Sequence, residues 1–225
     1  MNATIRTRLA RAAATIAAAA VAFGMLTACS SAPESRPESD PQAVASVFEA
    51  LDGADQVVAQ KSPISFGDKW TITADGQEIG EIRGEVIYLI GDTYTLFAPD
   101  GSIVASEEEQ FKVVTRKANL YDSTGQIYGA LDQQFTLFMA KYSILDGEGV
   151  AIGTAEQKLN WTMKFDVMSA SGSKDYQISK AAISMGSKVT VDRLTTDTKI
   201  SMLDALWVAV VASEVEDAQS EDSNS

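Results

Sequence analysis

The chain has 225 residues, no histidine, one cysteine, and 31 acidic against 18 basic residues, a net charge of −13. Without histidine there is no Ser-His-Asp triad, no Cys-His nucleophile and no histidine-bound zinc, and one cysteine closes no intramolecular disulfide. The acidic balance argues against nucleic acid as a partner, because phosphates are met by clustered Lys and Arg.

Residues 1–28 carry Arg6, Arg8 and Arg11 and no acid, and Ala12 to Leu26 is almost wholly apolar. A basic stretch followed by an apolar one is the layout of a secretory signal. The apolar run is shorter than the roughly 20 residues of a permanent membrane-spanning helix. Leu26-Thr27-Ala28-Cys29 resembles the lipobox of bacterial lipoproteins, which is cleaved before the cysteine so that its thiol can receive a diacylglyceryl group. The resemblance implies lipidation at Cys29 and attachment to the extracytoplasmic face of a cell membrane, since two acyl chains suffice for stable anchoring. Cutting away the three arginines leaves 15 basic residues against 31 acidic, a net charge of −16. From Ser30 to Pro41 there are three prolines and no apolar side chain larger than alanine. Such a segment cannot bury enough surface to fold, so residues 29–41 are expected to be a flexible tether.

Asp40-Pro41 predicts the capped start of a short helix. Val44, Val47, Phe48 and Leu51 recur on one face, and Gly53 can end it. From Gln56 to Val191 the period changes to two, with turn signals about every ten residues, the mark of antiparallel strands in a sandwich or barrel. A weak repeat runs through this stretch. Trp70-Thr71-Ile72 leads to Asp75-Gly76, Tyr94-Thr95-Leu96 to Asp100-Gly101, Leu120-Tyr121 to Asp122 and Gly125, Tyr142-Ser143-Ile144 to Asp146 and Gly149, and Phe165-Asp166-Val167 to Ser171-Gly172. Each unit reads as a hairpin whose Asp and Gly supply the turn. Five units make about ten strands, and the flanks can add two. Ser201-Met202-Leu203-Asp204 reads as a capping box, and Ala205 to Ala212 is apolar without interruption, which predicts a helix buried on all sides. From Glu214 onward there are five acids and no base, so the end of the chain is expected to fray, with a disordered acidic tail over 219–225.

The repeated aromatic-x-aliphatic hairpins (Tyr94 to Gly101, Tyr142 to Gly149) and the final apolar helix (Leu203 to Ala218) are similar to the Tubby C-terminal-like superfamily, and more closely to its LURP-one-related branch. The resemblance covers about residues 65–218. It implies a mainly β fold, a closed antiparallel barrel of about twelve strands threaded by a hydrophobic C-terminal helix, as a single domain over 42–218. Tubby proteins bind phosphoinositide head groups through basic residues, but no position here matches those residues. Scramblase relatives suggest lipid movement, and their metal-binding and membrane-anchoring segments have no visible counterpart.

Lys112, Arg116 and Lys117 form the densest basic group outside the signal, a candidate contact for a lipid head group or phosphate. Asp75, Asp100, Asp122 and Asp146 could suggest calcium, but they recur with the hairpins and turn chemistry explains them. Glu107-Glu108-Glu109 reads as a solvated strand end. Ser171-Gly172-Ser173-Lys174 matches Ser-x-x-Lys formally, yet it falls in a predicted turn and lacks its partner motifs. Trp70, Trp161 and Trp207 read as core. No catalytic residue, cofactor or metal is therefore assigned. The expectation is a lipid-anchored, non-enzymatic binding or scaffolding module whose partner is an envelope protein or a lipid. The alternatives are a scramblase-like binder of phospholipid or another apolar ligand and, more weakly, an envelope hydrolase built on a carboxylate pair.

Overall fold

A computed structural model of the protein describes residues 39–63, 68–87, 91–111, 116–135, 139–158, 163–181 and 187–222. Leu26, Thr27, Ala28, Cys29, Lys112 and Trp161 lie outside these residues, and with them the expected signal, the expected lipid attachment point and most of the expected tether.

Helix α1 (Pro41–Gly53) begins as its sequence predicts. Asp40 stays extended and its carboxylate accepts the Gln42 amide at 2.9 Å, while Pro41 occupies the first turn, where a missing N–H leaves nothing unsatisfied. Val44, Val47 and Leu51 bury one face, and Phe48 is partly buried beside them. The two residues before the helix are held rather than free: the Ile103 amide donates to Ser39 Oγ at 3.1 Å and the Asp40 amide to Ser102 Oγ at 2.9 Å. Ser39 and Asp40, which composition assigns to the tether, are thus held in place.

Twelve strands follow: β1 (Gln56–Lys61), β2 (Lys69–Ala74), β3 (Gln77–Ile87), β4 (Gly91–Phe97), β5 (Ile103–Phe111), β6 (Arg116–Asp122), β7 (Ile127–Phe135), β8 (Ala140–Asp146), β9 (Ala151–Gln157), β10 (Lys164–Ser169), β11 (Lys174–Lys180) and β12 (Lys188–Arg193). Each pairs antiparallel with the next, and β12 pairs with β1, so the sheet closes into a barrel. Closure leaves no strand with an unpaired edge.

One rim is built from the five expected hairpin turns. At β2–β3, Asp75 (φ 47°) and Gly76 (φ 84°) form a two-residue turn with both central residues left-handed, the geometry that matches the twist of the strands. The other four share a longer form. The amides of Gly101, Gly125, Gly149 and Gly172 donate to the carbonyls of Ala98, Asp122, Asp146 and Ser169, each glycine has φ between 81° and 90°, and the register slips by one residue beside each turn. This is a turn closed by a glycine bulge. The aspartates serve the same loops: Asp122 Oδ1 accepts the Thr124 and Gln126 amides, and Asp146 Oδ1 those of Glu148 and Val150. Their lone pairs are thus engaged by backbone.

Helix α2 (Met202–Asp222) starts at this turn rim with the predicted capping box. Ser201 Oγ accepts the Asp204 amide at 3.0 Å, and Asp204 Oδ2 accepts the Ser201 amide at 3.0 Å. Residues 202–213 are all buried. The helix packs against strands on opposite sides of the barrel, β8 on one and β1, β11 and β12 on the other, so it occupies the lumen. Its polar atoms are met as well: Trp207 Nε1 donates to the Tyr128 hydroxyl at 3.1 Å, and the Tyr176 hydroxyl donates to the Ile200 carbonyl at 2.8 Å.

The helix does not fray after Ser213 but runs to Asp222. Lys180 Nζ lies 3.0 Å from Glu216 and 2.6 Å from Asp217, and Lys61 Nζ lies 2.8 Å from Glu214. Cations from β11 and β1 thus hold a segment whose own composition carries only acid. The helical part includes residues 219–222, which had been expected in a disordered tail.

Gly153 on β9 lets α2's leading segment approach. A Cβ there would collide with the Ile200 side chain and come within 2.5 Å of the Met168 carbonyl oxygen. Gly153→Ala is expected to cost about 1–3 kcal/mol, the scale of overpacking in a dense core, measured as a lowered urea midpoint at unchanged slope.

Candidate functional site

The two ends of the barrel interior differ in chemistry. Near the turn rim the inward residues are apolar. Toward the far rim, where α2 leaves, they are polar: Asp92 and Tyr94 on β4, Glu107 and Glu109 on β5, Arg116 on β6, Gln133 on β7 and Tyr142 on β8. Alternation brings them together, because every second residue of a strand shares a face. Against them α2 presents Val211, Glu214 and Val215.

Two small cavities lie between these groups. One, of about 20 Å³, is lined by Asp92, Tyr94, Glu107, Glu109, Arg116, Val211, Glu214 and Val215. Its neighbour, of about 10 Å³, is lined by Glu109, Arg116, Ala118, Leu131, Gln133, Tyr142 and Val211. Each is about the size of one water molecule. Glu107 is 1% exposed, and neither carboxyl oxygen has a hydrogen-bond partner among the described residues. The Gln133 amide, the Tyr142 hydroxyl and Ser213 Oγ are likewise buried and unpartnered. Orphaned polar atoms are rare in protein interiors because each retains its full desolvation cost.

Electrostatics follow from this burial. Desolvation pushes the Glu107 carboxyl well above its usual range, and Glu109, Asp92 and Glu108 push it the same way. Glu109 is also raised by burial, with Arg116, whose Nε lies 3.4 Å away, pulling back. Burial raises Glu214 despite Lys61 beside it, and raises the phenols of Tyr94 and Tyr142. Burial thus favours the protonated, neutral form of Glu107.

The structure corrects the reading of the glutamate run. Glu107 and Glu109 are buried inside the barrel, and only Glu108 is half-exposed on the outside. The signal was present in the sequence: three consecutive residues of one strand in a closed barrel cannot all face solvent. Of the basic group, two members are described. Arg116 faces inward to Glu109, while Lys117 has the opposite parity and sits between Gln110 and Asp132 of the neighbouring strands. The pleat separates them, and Lys112 lies outside the described residues, so no shared head-group contact is formed by Arg116 and Lys117. Ser171 Oγ bonds Ser169 Oγ at 2.8 Å while Lys174 pairs with Asp166 at 2.7 Å, so the Ser-x-x-Lys pair is not assembled. Among the described residues no group of three or more Asp, Glu or Cys side chains is arranged to hold a metal ion. On the outer face of β1 and β2 lies a separate groove of about 270 Å³, lined by Val58, Gln60, Lys61, Ser62, Pro63, Thr71 and Thr73. No helix among the described residues is long and apolar enough to cross a membrane.

No protein-family model matches the chain, and no curated protein is similar to it in sequence. Among solved structures it is similar to a protein from Arabidopsis thaliana determined by X-ray analysis, at 13% identity and a TM-score of 0.46, over 77% of this chain and 98% of that one.

The raised Glu107 fixes the sign of a pH effect. The folded protein keeps a proton that the unfolded chain releases above about pH 4.3. The corresponding stability is complete below that pH and is lost as pH rises toward the folded value. Glu107→Gln carries no such proton. The variant is expected to gain on the wild type between pH 5 and pH 8, by at most about 1.4 kcal/mol per pH unit, in parallel urea titrations across that range.

Proposed function

We propose that the protein is a lipid-anchored component of a bacterial envelope, held to the extracytoplasmic face through Cys29, with the barrel acting as a non-enzymatic binding or scaffolding module of the Tubby-like, LURP-one-related kind. The observation that carries this reading is the filled lumen. Residues 202–213 of α2 are buried inside the twelve-strand wall, so an apolar ligand has no interior channel to occupy there, as it would in a carrier barrel. Contact with a partner then falls to the outer wall and the rims. The two interior cavities beside Glu107 and Glu109 are too small for a sugar ring, which weighs against a glycosidase built on those carboxylates. The same arrangement, a closed wall around an apolar C-terminal helix, is what the Tubby-like resemblance implies, and it supports that assignment. The anchor rests on the order of features at the chain's start: three arginines, an apolar run, then Leu26-Thr27-Ala28-Cys29.

The anchor is tested by expressing the full chain and its Cys29→Ala variant in a bacterial host and separating membrane from soluble fractions. The wild type is expected with the membranes and to incorporate labelled fatty acid. The variant is expected to take up no label and to leave the membrane fraction. Equal membrane retention and equal labelling would overturn the proposal.

A further inference from the structure

We infer that the cavity between β4, β5, β6 and α2 is a binding site for one protonated primary amine, whose ammonium group sits against Glu107. This deepens the binding-module reading and rests on it only in that the barrel binds a ligand; it is independent of the anchor at Cys29.

Charge selects the class of ligand. The lining holds four carboxylates, on Asp92, Glu107, Glu109 and Glu214, against the single guanidinium of Arg116. Arg116 is engaged with Glu109, and Lys61, at the margin, with Glu214 and Asp68. Glu107 stands apart from these pairs, with both oxygens buried and unpartnered. A buried carboxylate is compensated only by an opposite charge or by good donors.

Size narrows the class further. A cavity of about 20 Å³ admits a group as large as a water molecule, and an ammonium head is of that size. The donor set does not suit a divalent metal, which needs several converging oxygens, since no three acidic side chains converge here. An ammonium group instead carries three donors on one small charge. Glu107 and Glu109 offer it acceptors.

The chemistry of capture is coupled to a proton. Burial disfavours the charged form of Glu107, as do Glu109 of its own strand and Asp92 of β4, which line the same cavity, and Glu108 on the outer face. Glu214 of α2 lines the same cavity. Arg116 of β6 and the phenols of Tyr94 and Tyr142 complete the titratable surroundings. An arriving ammonium ion stabilises the carboxylate, so one proton leaves Glu107 for solvent as one cation enters, and the net charge of the cavity is unchanged.

The test is isothermal titration of the full chain, purified in detergent, with 1,5-diaminopentane and, separately, with N-acetyl-lysine amide, which stands in for a lysine side chain of a protein partner. Saturable binding of either is expected, with proton release detected when buffers of different ionisation enthalpy are compared. Preference for the diamine would indicate a free amine, and preference for the lysine derivative a protein side chain. Glu107→Gln is expected to weaken binding by at least about tenfold, the loss of one charge-assisted hydrogen bond, while Glu148→Gln in the exposed β8–β9 turn leaves it unchanged. Thermal melts of both variants confirm that they fold. Absence of saturable binding, equal affinity in Glu107→Gln, or Glu107-dependent binding of Ca²⁺ in place of amine would each overturn the inference.

Discussion

Helix α2 is apolar on every side through residues 202–213, and a helix of that kind is stable only where apolar surface encloses it. The barrel has the reciprocal need. About eight strands make an interior that their own side chains can fill, and wider barrels leave a lumen. With twelve strands, this wall requires an insert, and α2 is that insert. Neither part has a stable alternative alone, so closure of β1 on β12 and docking of α2 are one event. Both are long-range in sequence, which places the slow step of folding late, after the local hairpins are available.

The chemistry of the two ends follows from lengths. A helix of 21 residues is about 32 Å long, while a strand of seven residues spans about 23 Å and its tilt shortens the wall further. The helix must therefore emerge. Its composition changes from apolar to acidic at Glu214, where Lys61 and Lys180 of the wall meet it. Those two lysines lie on the β11–β1 side, and the opposite side, β4 to β6, answers the same acidic helix with further acids and Arg116. That imbalance is what leaves Glu107 without a partner.

Much of this was legible in the residues. The five hairpins, the cap of each helix and the burial of Leu206 and Trp207 follow from local rules: positive φ at glycine, Asp and Ser side chains bonding nearby amides, and a helix with no polar face. What escaped was what depends on which residues meet across the barrel. Composition marked 214–222 as fraying, but Lys61, more than 150 positions away in sequence, decides otherwise. Glu107 and Glu109 read as surface because charge usually is, and only the strand's parity within a closed wall places them inside. The same parity parts Arg116 from Lys117, which are neighbours in sequence but not in space. Asp100, Asp122 and Asp146 were readable because their partners lie within four residues.

The positions of the two chain ends have a mechanical meaning. The described structure begins at Ser39 and Asp40, which are hydrogen-bonded to Ile103 and Ser102 at the turn rim. It ends with α2 leaving by the opposite rim beside Lys61 and Lys180. A tension applied between the termini therefore runs along the axis of the barrel and draws on α2 like a piston in a sleeve. The load falls first on a few rim contacts, Lys61 and Lys180 at one end and the Ser201–Asp204 cap at the other, while the inter-strand ladders lie across the pull. Under force the element at risk of leaving is the one that fills the lumen, and resistance is then a matter of extraction rate rather than of equilibrium stability.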